Sequence, residues 1–213
     1  RQMTLTLCLH SSSAKPSVFV FRDGEKFVPK IDNFIGDPTS GPSIAELAAD
    51  TLSAADASAD DVDQIAIDIG PGRLSAVRAA VAFTNAFSFG LGKPVLPIIS
   101  SFAVGLLAER KFGLPAIVVH KSAGGTAFVG RVVNGSLETL RHGSMDETVR
   151  IVAKRLEAVT LVGAPASLLK DIEVKQMGDP EISDEIFPEL IKVGEFVDAP
   201  VHPITEQSAL INV

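Results

Sequence analysis

Gln64–Ile98, QIAIDIGPGRLSAVRAAVAFTNAFSFGLGKPVLPI, reads as a buried strand, a Gly-Pro-Gly turn, a long helix, a Gly-Leu-Gly stop and a second strand. The two apolar runs are short and rich in β-branched residues, as strands are, and the stretch between them is long enough for a helix. From Ala79 to Gly92 that helix carries no charge on any face. A helix packed on one side of a soluble domain shows a polar face. This one therefore needs cover on two sides, either from its own sheet and another molecule or as a central helix wrapped wholly within its domain.

Working outward, the β-branched and aromatic runs predict strands at 3–9, 16–22 and 25–30, with Asp23-Gly24 as a hairpin turn. A helix is expected over 43–57, where Ser43 after Pro42 is a usable N-cap and Glu46 completes a capping box. Then come the strand at 64–69, the apolar helix at 73–89, a strand at 94–99 and a helix at 101–112. After Gly113-Leu114-Pro115 the same order starts again. Strands fall at 115–120, 126–133 and 136–140, with Asn134-Gly135 as the turn. A helix at 144–156, a strand at 158–163, a short helix at 165–170, a strand at 172–177 and a helix at 183–195 complete it. Each half reads β-β-β-α-β-α-β-α, which points to duplication. Three meandering strands followed by helical crossovers give mixed sheets with flanking helices, an α/β architecture. The division is expected at 1–102 and 103–213, with the tail returning to the first half.

Composition narrows the function. The 213 residues are 46% hydrophobic and 21% charged, with a net charge of −7. That is globular composition, and an acidic balance argues against gripping nucleic acid by the overall field, though not against a local basic patch. The single cysteine, Cys8, sits in an apolar strand pattern, so no internal disulfide is possible, which suits a reducing cytoplasm. No targeting signal is found. The run Ala79–Gly92 is short for a bilayer and is closed by Lys93-Pro94, so no membrane span is expected.

Each half resembles a ribonuclease-H-like domain, and two in tandem resemble the actin, Hsp70 and sugar-kinase superfamily. The block GPGRLSAVRAAVAFTNAFSFGLGKPVLPIISSFAVGLLA is more specific: it resembles the TsaB (YeaZ) family. Gly70, Pro71, Gly72 and Arg78 match the spacing of that family's opening pattern, and Ser100-Ser101 match its later Ser pair. The resemblance implies a non-catalytic partner in threonylcarbamoyl-adenosine synthesis on transfer RNA. It implies pairing with a TsaD-like catalytic paralogue, a TsaE-like ATPase as a further partner, and a homodimer when the protein is alone. The interface it implies lies on the apolar helix, at Leu74, Arg78, Ala79, Ala82, Asn85 and Ala86. This chain departs from the pattern at His10, at Arg73-Leu74-Ser75-Ala76 and at His120-Lys121-Ser122.

Those departures bear on chemistry. A kinase or ATPase of this superfamily carries an acidic residue in a phosphate-gripping hairpin at the start of each half, because Mg²⁺ prefers carboxylate oxygens. The corresponding places hold His10-Ser11 and His120…Gly124-Gly125 instead. Anion binding could involve His10, Ser11, Gly70, Gly72, His120, Gly124 and Gly125, through backbone N–H groups and imidazoles. No cofactor, no metal and no catalytic residue are expected, and nucleotide binding would be weak. The runner-up readings are a degenerate sugar- or acetate-kinase-like phosphotransferase and, last, a glycoprotease-like (M22) peptidase. Arg78, the charge on an apolar helix, is expected to pair with an acid such as Asp68.

Overall fold

The computed structural model describes residues 4–13, 17–22, 25–28 and 43–208. The Asp23-Gly24 turn, Pro42 and the ends of the strands expected at 3–9, 16–22 and 25–30 lie outside them. Contacts divide the chain into two units: Arg1–Ile69 with Ser75–Ile98 and Phe187–His202, and Gly70–Leu74 with Ile99–Ile186 and Pro203–Val213.

In the first unit, strands β1 (Leu5–His10), β2 (Ser17–Arg22), β3 (Glu25–Phe27), β4 (Gln64–Asp68) and β5 (Val95–Ile98) form one sheet in the order β3-β2-β1-β4-β5. The meander β1–β3 is antiparallel, and β4 and β5 join it in parallel. Parallel neighbours need crossovers. These are helix α1 (Ile44–Ala54) before β4 and helix α2 (Leu74–Leu91) before β5. Helix α1 opens on the expected capping box: the Glu46 N–H donates to Ser43 Oγ at 3.2 Å, and the Ser43 N–H donates to Glu46 Oε2 at 2.7 Å. Leu7, Leu9, Phe19, Val20, Ile65 and Ile67 are buried in this sheet. Helix α5 (Phe187–Val193) returns to the unit, with Phe187 edge-on to Phe19 at 5.0 Å between centroids.

The second unit repeats the order. Strands β6 (Ala116–Lys121), β7 (Thr126–Val133), β8 (Ser136–Ser144), β9 (Ala158–Val162) and β10 (Glu173–Met177) form a sheet in the order β10-β9-β6-β7-β8. Again the first three strands are antiparallel and the last two parallel. Helix α3 (Ser100–Phe112) packs on β6 and β7, and Ile117, Val119, Val129, Val149 and Leu161 make the core. The helix α3 runs unbroken through 102/103, where the sequence places a boundary; by contacts the chain passes between units at 98/99.

Several elements differ from expectation, among them the strand expected at 136–140, which runs on to Ser144, and the helix expected over 43–57, which ends at Ala54. The helix expected at 165–170 is a single 3-10 turn, Ala166–Leu168, which ends where Leu169 leaves helical geometry at φ −124°, ψ 68°. The helix expected at 144–156 is α4 (Met145–Val152), halted ahead of the left-handed Arg155 at φ 73°. The helix expected at 183–195 is a 3-10 turn followed by α5.

Candidate functional site

Helix α2 has two faces. Val77, Ala80, Val81, Thr84 and Ser88, spaced three or four apart, are buried within the first unit. On the opposite side Leu74, Arg78, Ala79, Ala82, Ala86 and Phe89 are exposed, Phe89 to 89%. The exposed stripe is apolar but for Arg78, so a helix wrapped wholly within its domain does not describe it. Arg78 does not pair with Asp68. That carboxylate is fully buried and accepts the Ser12 N–H at 2.9 Å, while Arg78 makes no ion pair among the described residues.

By length and composition α2 could cross a membrane: it has 18 residues at a mean hydropathy of 1.3, longer than the uncharged run read from the sequence. Its buried stripe and Asn85 tie it to the first unit instead. Asn85 Nδ2 donates to the Val201 carbonyl at 2.9 Å, and the Val201 N–H donates to Asn85 Oδ1 at 2.9 Å. Asn85 therefore differs from the other five expected interface residues: it is half-buried and its amide is already engaged.

Beside the exposed stripe, α1 and α2 enclose a groove of about 310 Å³, walled by Ala45, Ala49, Leu52, Phe83 and Phe87. The two rings lie 5.4 Å apart between centroids, tilted 31° to one another. The sequence reading missed this groove and Phe89. The one available signal was Phe83-x-x-x-Phe87, an i, i+4 aromatic pair on a single face.

The expected anion-binding residues lie on three stretches of the chain. At the end of β1, His10 and Ser11 are buried, and the N–H groups of Ser11 and Ser12 both face Asp68 Oδ2, at 3.4 and 2.9 Å. A carboxylate of this chain thus stands where those amides would greet an external anion. At the entry to α2, Gly70 is left-handed at φ 89°, its carbonyl accepts the Ser100 N–H at 2.8 Å, and Gly72 is exposed. In the second unit, His120 is buried in β6, while Gly124 (φ 68°) and Gly125 (φ 75°) form an exposed turn. Thr126 Oγ1 donates to the Ala123 carbonyl at 2.8 Å and closes that turn.

Ser122 Oγ lies 3.1 Å from His142 Nε2, a pair the sequence did not reveal. Glu206 approaches the same nitrogen, at 3.8 Å. A relay needs the carboxylate on the other ring nitrogen, where it would fix the tautomer. This arrangement gives a nucleophile no such support. Among the described residues no three His, Cys, Asp or Glu side chains are grouped to hold a metal ion.

Residues 42–183 match the family described as TsaD: tRNA N6-adenosine threonylcarbamoyltransferase. The curated protein of that name from Moorella thermoacetica is 30% identical over 90 residues, 41% of this chain and 26% of that protein. The one from Geotalea uraniireducens is 25% identical over 196 residues, 83% of this chain and 56% of that protein. The chain thus spans about a quarter to a half of the length of these relatives. Among solved structures, YeaZ from Pseudomonas aeruginosa superposes with a TM-score of 0.70 at 19% identity, over 95% of this chain and 100% of that one. At that identity the likeness establishes the fold, two tandem ribonuclease-H-like halves, as the repeated β-β-β-α-β-α-β-α order led one to expect.

Proposed function

The chain belongs to the TsaD family of tRNA N6-adenosine threonylcarbamoyltransferases, and from that membership we propose that it serves the threonylcarbamoylation of transfer RNA as a partner-binding subunit. The observation that carries this reading is the exposed apolar stripe of α2, Leu74 to Phe89, running beside the α1–α2 groove. A contiguous row of exposed apolar side chains, with Phe89 exposed to 89%, supports an interaction site. Small side chains at Ala79, Ala82 and Ala86 let a second helix approach closely, and Phe83 and Phe87 offer walls to an inserted side chain. The partner is a TsaD-like paralogue with a related helix pair; alone, the protein self-associates through the same surface. Asp68 facing the amides of Ser11 and Ser12 supports the view that this chain does not carry the transferase chemistry. Work on transfer RNA fits a protein of the cytoplasm.

The test is Ala82→Glu, a charge set into the centre of the stripe. Light scattering should show the mass of the wild-type chain fall to that of a monomer in the variant, with circular dichroism unchanged. Co-purification with the full-length TsaD-like paralogue should be lost in parallel. A folded variant that keeps every association refutes the interface.

A further inference from the structure

The second unit holds a hollow of about 430 Å³ between the end of α4 and the chain following the 3-10 turn Ala166–Leu168. Arg150, Lys154, Arg155 and Lys170 rim it, and Leu156 and Ile172 lie among its walls. Asp171 is the one acid in the lining. Four cations around one hollow stand out in a chain of net charge −7. All four are exposed, and none makes an ion pair among the described residues.

Basic residues near a helix C-terminus ordinarily serve its unsatisfied carbonyls. Here Arg131 does that work: its Nη1 donates to the Val152 carbonyl at 3.0 Å and lies 3.5 Å from the Lys154 carbonyl. The four rim cations are surplus to the cap. Arg155 adds an independent sign. It sits at φ 73°, a left-handed position that glycine takes without strain and a long side chain does not. An arginine held there against backbone preference points to a use for the side chain.

We propose that this hollow binds phosphodiester groups of an RNA strand, with the cations on the phosphates and Leu156 and Ile172 against sugar or base. The volume lies in the range of roughly 300–1,000 Å³ usual for ligand clefts. The rim cations are exposed, however, whereas a pocket for a free mononucleotide buries most of its ligand. Exposed cations suit a polyanion, whose binding gains from the release of counterions. The choice of RNA rests on the function proposed above; the phosphate chemistry does not.

The experiment measures fluorescence anisotropy of a labelled transfer RNA transcript with the isolated full-length chain at several salt concentrations. Arg150→Glu/Lys154→Glu/Lys170→Glu should weaken binding at least tenfold. It should also flatten the slope of log K against log salt by about 0.7–0.9 for each phosphate that is no longer neutralised. Lys192→Glu, an exposed cation of the first unit, should leave both unchanged. Arg155→Gly separates binding from folding: it should weaken RNA binding severalfold while raising the unfolding temperature. Unchanged binding in the triple variant, an equal loss in Lys192→Glu, or no RNA binding by the wild-type chain overturns the proposal. Displacement of the RNA by inorganic phosphate or ATP at micromolar concentration assigns the hollow to a free phosphate ligand and overturns the RNA source. No paralogue is present, so failure here leaves the partner surface on α2 untouched, and failure of Ala82→Glu leaves this site untouched.

Discussion

The first unit has a hollow between α1 and α2; the second has one between α4 and the 3-10 turn at Ala166–Leu168. In the duplicated strand order these are the same place, flanked by the helix before the fourth strand and the connection after it. One is walled by Ala45, Leu52, Phe83 and Phe87, the other rimmed by Arg150, Lys154, Arg155 and Lys170. The sheets, which need the same alternation and the same crossovers, have kept one design. The connection after the fourth strand has not: 18 residues of helix in one unit, three residues of 3-10 turn in the other. Duplication here preserved the scaffold and diverged at a slot that the sheet does not constrain. The apolar version suits a protein partner and the cationic version a polyanion.

The sharpest way to break this comparison is at adjacent positions of α2. Val81 is buried and Ala82 exposed. Val81→Glu places an unpaired charge in the core and should cost more than about 4 kcal/mol, enough to abolish cooperative unfolding of the chain. Ala82→Glu should stay within about 0.5 kcal/mol of wild type in thermal unfolding at a concentration where the wild type is monomeric. Equal damage from the two would mean that the exposed stripe is structural, and the contrast between the hollows would collapse.

A second break lies at a feature the units share. Strands β4 and β9 both run into a left-handed glycine, Gly70 at φ 89° and Gly163 at φ 80°. A Cβ on Gly163 would collide with the Val119 carbonyl oxygen, which as backbone of a core strand cannot yield cheaply. Gly163→Ala should therefore destabilise by about 3 kcal/mol, strain and clash together, read as a lowered midpoint in denaturant unfolding. A smaller effect belongs to Asn85, which has no equivalent in the three-residue turn of the second unit. Asn85→Ala removes both bonds to Val201 and should cost about 2 kcal/mol. Limited proteolysis should then cut sooner near Val201.

Which parts of this were legible in sequence follows from what each residue type reports. Asn134-Gly135 announced its hairpin because both residues take positive φ, 51° and 73°, which few others tolerate. Ser43 and Glu46 announced a helix start for an equally local reason. The two faces of α2 were hidden because alanine stands on both: Ala80 is buried, Ala79 and Ala82 exposed. The expected pairing of Arg78 with Asp68 failed because Asp68 is turned inward to the Ser11 and Ser12 amides. The basic hollow was out of reach, since Arg150 and Lys170 belong to different elements and only the fold brings them together. The repeated order calls for a helix at 165–170, but the ten residues between β9 and β10 hold only the 3-10 turn Ala166–Leu168, because Leu169 leaves helical geometry.

The smallest effect compares the two helices that precede the fourth strands. Ser43 caps α1 and is capped in return by Glu46; Ser144 occupies the same position before α4 and makes no side-chain cap bond. Ser43→Ala should cost about 1 kcal/mol, whereas Ser144→Ala should cost almost nothing. The bonds from the Ser43 backbone, then its side chain, hold the Glu46 carboxyl below its ordinary value of 4.5. A carboxyl with a lowered folded-state pKa stabilises above its unfolded pKa, and that contribution is lost as pH falls through the folded value. Because the Ser43 backbone N–H supplies the larger part of that shift, the difference between wild type and Glu46→Gln should hold at pH 7 and shrink as the solution is acidified below 4.5, the reference value for Glu46. Thermal unfolding of the four combinations of Ser43→Ala and Glu46→Gln at pH 7 and in acid measures it. A difference that stays the same in acid would mean that the Glu46 charge takes no part in the cap.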